Sequence, residues 1–289
     1  MPESIGPAIA RDRLSARLRE LREASGLSLA EVAGQLTWPE SAIGDLESGW
    51  SSLPRPRLEA LLELYGVADP EASDLLLLAR LARSRFWWAR QGMTDEHQNF
   101  VEYESEADRI CVYQPLVVPG LMQTPDYARA TTATVLRLPV DDPRVTARAD
   151  LRMERQRLVA DRIAAGERVR IVAVLDEVVL RRGIGGDDVM RDQLDHLAAQ
   201  ARLEHVTLVI MPTAQGGHAG LGGVFEMLEL ADEPELSTVF IESTTSDHIL
   251  RGPQVTETYR GIVDDLVATG SGGDEAVALL REIRDETGR

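Results

Sequence analysis

Glu40, Ser41, Gly44, Asp45 and Ser48 fall on one face of a short helix by their spacing, and Arg17, Arg55 and Arg57 flank them within the same eighty residues. Hydroxyls and carboxylates on a helix face can bond base edges in a duplex groove, whereas the arginine fork suits phosphate oxygens. The set therefore suits contact with double-stranded DNA. Ser28 joins it, and its hydroxyl also suits the N-cap of a helix.

Other reactive residues lack the spacing that catalysis or metal binding requires. His97, His196, His205, His218 and His248 are scattered, with no HExxH and no close ligand pair. Asp247 and His248 lie beside the hydroxyls of residues 243–246, yet no G-x-S-x-G elbow exposes a serine. The stretch PTAQGGHAGLGG follows a strand as a phosphate loop does, but it lacks GxxxxGK[ST] and a helix directly after it. A hairpin loop or interface element around His218 is the better reading. Asp176 and Glu177 form the best acidic pair, which a surface strand end explains equally well. Cys111 is the only cysteine and reads as buried filler, so no intrachain disulfide forms. The expectation is a protein that is not an enzyme and holds no cofactor and no metal.

Three short helices position the first set. Leu14, Leu18 and Leu21 recur at three and four, giving a first helix that ends near Gly26. Ser28 and Glu31 have the spacing of a capping box for a second, whose buried side is Leu29, Val32, Ala33 and Leu36. A turn through Thr37 and Trp38 leads to Pro39 at the first position of a third helix anchored by Ile43 and Leu46, with Gly49 after its end. This is the pattern of a helix-turn-helix, in which the outward face of the third helix enters the major groove.

Composition bounds the rest. At 44% hydrophobic and 27% charged over 289 residues, the chain can fold into two globular domains. No stretch reaches the roughly 18 apolar residues of a bilayer span, and the N-terminus lacks a signal-peptide core, so a cytoplasmic protein without membrane contact is expected. Charge opposes DNA binding at long range: the net value is −17, and residues 1–80 hold eight arginines against thirteen Asp and Glu. Binding must rest on a local patch, from Arg11, Arg13, Arg17, Arg19 and Arg22 on the first helix and Arg55 and Arg57 beyond the third. Those on the first helix can instead pair with Glu20 and Glu23.

A fourth helix, with Leu58, Leu61, Leu62 and Tyr65 buried, and a fifth beginning near Pro70 complete an all-α domain over 1–90. Phe86, Trp87 and Trp88 end it as a base-stacking platform or as cement between domains, and residues 90–94 make the boundary. The second domain, 95–270, reads as α+β with a small sheet: strands begin at Val169, His205, Val224 and Ser237, with helices at 187–203 and 253–268 and no regular βαβ repeat. The acids Glu102, Glu104, Glu106 and Asp108 are expected to stay wet. Pro115 to Gly120 reads as a packed loop or a pocket wall. Residues 143–164 make an arginine-rich helix suited to DNA, an acidic partner or internal ion pairs. Residues 271–289 are a C-terminal helix or flexible tail.

The order of features resembles a family of actinobacterial regulators: an XRE-type helix-turn-helix followed by an antitoxin-like domain of unknown function, the DUF5753 type. REASGLSLAEVAGQLTWPESAIGDLESG carries the front of the match. YQPLVVPGLMQTPDYARA, AVLDEVVLRRGIGG, VTLVIMPTAQGGHAGLGGVFEML and FIES carry the rest, in that order. The resemblance implies a cytoplasmic transcriptional regulator bound to operator DNA, a homodimer, and a second domain that senses an effector or a small acidic protein encoded nearby. Glu40, Gly44 and Asp45 stand where members commonly carry Gln, Ser and Arg, and Leu29 where they often carry Gln. Ionised carboxylates cannot donate to phosphates, so a module that keeps the fold and has lost strong DNA reading is the alternative.

Overall fold

The computed structural model describes residues 6–49, 54–83, 95–231, 234–243 and 247–288, and the chain divides into compact units at Met1–Ala89 and Arg90–Arg289. The first unit is all helical: α1 (Pro7–Ala24), α2 (Leu29–Leu36), α3 (Glu40–Glu47), α4 (Arg55–Leu64) and α5 (Glu71–Leu81). Its core joins Leu14 and Leu18 to Val32, Ala33, Ile43, Leu46, Leu58, Leu61, Leu62, Leu75 and Ala79. The heptad-like spacing of leucines on α1 and α4 thus does what it predicts. The aromatic cluster at 86–88 and the boundary at 90–94 lie outside the described residues.

In the second unit α6 (Asp95–Glu106) leads into β1 (Arg109–Gln114), which is followed by α7 (Pro125–Leu136), α8 (Pro143–Ala164) and β2 (Arg170–Asp176). Next come α9 (Glu177–Leu180), α10 (Asp187–Gln200), β3 (Val206–Met211), β4 (Phe225–Glu229), β5 (Thr238–Glu242) and β6 (Asp247–Arg251). The chain ends with α11 (Pro253–Thr269), β7 (Ser271–Gly272) and α12 (Gly273–Glu286). One mixed sheet runs in the order β6-β5-β4-β1-β2-β3-β7.

β1, β2 and β3 are parallel neighbours, and helical crossovers join each to the next. The expectation of no βαβ repeat is corrected here: β1 is a strand, and it supplies the first arm of two successive crossovers. Both faces of these strands are buried. Cys111, Tyr113, Val172, Val174, Val209 and Met211 pack with Val263 and Leu266 of α11, while Ile110, Val112, Ile171, Ala173, Leu175, Leu208 and Ile210 are buried on the other parity. The C-terminal segment is a packed helix, with Ala276, Val277, Leu280 and Ile283 buried.

The glycine-rich loop is not a hairpin. It leaves β3 and enters β4, which pairs with β1, so it passes over the carboxyl ends of β2 and β1. Gly220 lies on the Tyr113 ring so closely that a Cβ there would come within 2.6 Å of it.

Candidate nucleic-acid interface

The helix-turn-helix is built by local bonds that the side chains specify. Ser28 Oγ accepts from the Glu31 amide at 3.2 Å, while the Ser28 amide donates to Glu31 Oε2 at 2.8 Å, completing a capping box. Those bonds hold the Glu31 carboxyl below its usual range. Ser28 is therefore engaged in starting α2. Thr37 ends α2 in the left-handed region at φ 56°, and the Trp38 amide returns to Ala33 O at 2.9 Å. Pro39 is the N-cap of α3 and not its first residue, with ψ at 139°; its lack of an N–H suits either position.

On α3, Ile43 and Leu46 are buried while Glu40, Ser41, Asp45 and Ser48 are exposed. Gly44 is half-buried, and a Cβ on it would meet nothing within 4 Å. Ser48 Oγ donates to Asp45 O at 3.2 Å at the C-terminal end of the helix. The outward face is thus two acids, two hydroxyls and an open position.

The arginines behave differently from a phosphate-facing row. Arg17 donates to Glu20 at 2.8 Å and to Glu71 on α5 at 2.6 Å, bonds that raise its pKa. Arg19 pairs with Glu23 at 3.1 Å, and Arg55 with Glu59 at 2.8 Å. Arg22 makes a two-pronged bond to Glu47, at 2.6 and 2.9 Å, and donates a third to Leu27 O. This pair is mostly buried and fastens the end of α3 to α1. Tyr65 lies nearby, its hydroxyl pushed up to about 12 by burial and then by Glu47.

Arg57 is the exception. Its guanidinium stands 5.1 Å from the centre of the Trp38 ring, and it has no carboxylate within ion-pair distance among the described residues. Trp38, which the sequence suggests only as part of a turn, thereby places a free cation beside the entry to α3. Nothing in the local sequence signals this contact, because nineteen residues separate the two.

In the second unit the structure brings His218 Nε2 to 3.8 Å from Asp176 Oδ2, under the glycine-rich loop. The Gly220 amide donates to His218 Nδ1 at 3.2 Å, and Asp176 Oδ1 accepts from the Val178 amide, so both side chains serve the local turns. Glu177 accepts from the Thr213 amide and from Arg181, which hold it below the usual carboxylate range. Asp247 faces His97 at 3.8 Å, whereas the sequence suggests His248. Cys111 is buried, its thiol pushed up to about 12 by burial. Among the described residues no three His, Cys, Asp or Glu side chains group as metal ligands, and no helix is long and apolar enough to cross a membrane.

The acids of α6 do not all stay wet. Glu104 is buried and takes a two-pronged bond from Arg155 of α8, one arm at 2.6 Å. Burial of an acid on a helix that reads as polar is paid back by an arginine 51 residues away, which no local pattern reveals.

A family model for a helix-turn-helix domain matches residues 13–76, and one for a domain of unknown function, DUF5753, matches residues 97–282. No curated protein and no solved structure matches the chain. By a match that spans more than half of its length, the chain belongs to the DUF5753 family, its domain joined here to an N-terminal helix-turn-helix.

Proposed function

We propose that the protein is a cytoplasmic, sequence-specific transcriptional regulator of the XRE type, not an enzyme, that binds operator DNA as a homodimer. The helix-turn-helix match together with an outward face on α3 clear of the core carries this reading. Glu40, Ser41 and Asp45 face the bases, and Arg57 on Trp38 meets the phosphate beside them. Ser28 contributes by setting the start of α2. The second unit senses an effector or a small acidic partner.

The test is selection of native genomic fragments by the purified full chain at low salt, followed by binding to the recovered site and to its scrambled version. Preference for one two-fold-related site is expected. Equal binding to scrambled DNA, with and without the protein encoded beside it, overturns operator reading.

One observation favours a second reading, an interaction module that has lost groove reading: Arg17, Arg19, Arg22 and Arg55 are all held by acids of the same unit. Under it the small partner co-purifies with the chain, and Arg57→Gln leaves that complex intact.

A further inference from the structure

Arg148, Arg152 and Arg155 follow one another along α8 at spacings of four and three, so they share a face. Their surroundings differ. Arg155 is buried, bonded to Glu104, and stands 5.1 Å over the Phe100 ring. Arg157, on the opposite side of the helix, is matched by Glu154 and Asp161, and Arg162, further along the same face, is matched by Glu167. Arg148 and Arg152 have no carboxylate within ion-pair distance among the described residues.

Arg152 is the unusual member. It is half-buried, and among the described residues its one hydrogen bond goes to the neutral hydroxyl of Thr132 on α7, leaving four N–H donors of the fork without a protein acceptor. Burial and the neighbouring Arg155 and Arg148 bring its pKa down to about 10, with Glu242 at the exposed end of β5 opposing them. A confined cation without a counterion is costly, and the usual remedy is a paired anion. His97 on α6 faces the same group of guanidinia. Burial and then Arg155, Arg152 and Arg148 hold it neutral, down to about 3, so its approach to Asp247 is not an ion pair. Phe100 and Phe240 stack at 4.2 Å alongside, and Gly120 brings the loop after β1 against the Arg152 stem.

We propose that Arg152 and Arg148, with His97 opposite, bind the phosphate group of a small ligand in the second unit. Two guanidinia with no acid of their own match a dianionic phosphate better than a single carboxylate, and the arginine fork supplies two parallel donors to its oxygens. This site is separate from the α3 face and stands whether or not the first unit reads DNA.

Calorimetric titration of the full chain with inorganic phosphate, at fixed ionic strength in chloride buffer, tests it. Saturable one-to-one binding is expected, weakened at least tenfold by Arg152→Gln and unchanged by Arg57→Gln or Arg157→Gln. Should Arg152→Gln lose its fold by circular dichroism, Arg148→Gln, an exposed position, is expected to weaken binding at least threefold. Absence of saturable binding by the wild-type chain overturns the site, as does equal binding by the folded arginine variants. Tighter binding of succinate than of phosphate overturns the ligand class.

Discussion

At position 44 the helix carries a glycine that neither packing nor backbone geometry demands. Its φ is ordinary and a Cβ would meet open space, so Gly44→Ala is expected to stabilise the first unit by about 0.5–1 kcal/mol, read from urea denaturation. A loss of stability instead would mean that α3 is held differently from the arrangement described. Asp45 is exposed one residue further along and repels phosphate. Asp45→Arg should tighten binding to any duplex at low salt by about tenfold, since it exchanges a repulsion for a charge-assisted contact. Unchanged affinity would remove α3 from the DNA-facing surface.

Elements are held by pairs of very different worth. The Arg22–Glu47 bond joins α1 to α3 in a mostly buried setting, and breaking it by Glu47→Gln leaves Arg22 only its longer contact to the exposed Glu23 at 3.6 Å, at a cost of about 3 kcal/mol. Arg19–Glu23 lies in solvent along one helix, and Glu23→Gln should cost under about 1 kcal/mol. Equal losses in thermal or urea unfolding would contradict the assignment.

Where α6, α8 and β4 meet, two groups titrate in opposition. His97 is depressed to about 3, so below its ordinary 6.5 the unfolded chain takes up a proton that the folded chain refuses, and acidification destabilises by at most about 1.4 kcal/mol per pH unit. Glu226 on β4 is raised by burial and then by Glu104, and one of its oxygens has no hydrogen-bond partner among the described residues. Its folded form keeps a proton that the unfolded chain releases above the ordinary 4.5, so its contribution is present below 4.5 and lost as pH rises. Between pH 4.5 and 6.5 the slopes oppose. His97→Gln should therefore tilt stability downward with rising pH, and Glu226→Gln downward with falling pH, in urea titrations of the full chain. Parallel slopes in both variants would refute the coupling.

These elements were unequally legible in the sequence. The capping box at Ser28 and Glu31 and the leucine spacing of α1, α2 and α4 act within one helix, so a linear reading finds them. β1 was hidden because RICVYQ follows an acidic helix after only Ala107 and Asp108, and Asp108 reads as one more acid of that run; β7 is too short to show a pattern. The Arg155–Glu104 pair and the seating of Arg57 on Trp38 join residues 51 and 19 apart, and only the fold brings them together.

For the molecule as a whole, a net −17 works against encounter with a polyanion. With Arg57 as the cation left over beside α3 and Arg55 lightly held by Glu59, operator binding should show a log–log salt slope of about −1 to −2, one or two phosphates neutralised. A slope near −6 would require a basic surface other than this one. The Arg22–Glu47 bond has a consequence of another kind. Because it clamps α3 from behind, the pose of that helix does not depend on what stands at positions 40, 41, 44 and 45. Those four positions are interchangeable lettering on a fixed plate: transplanting them from a relative should move its target preference with them, while the fold, and whatever the second unit reports, stays as it is.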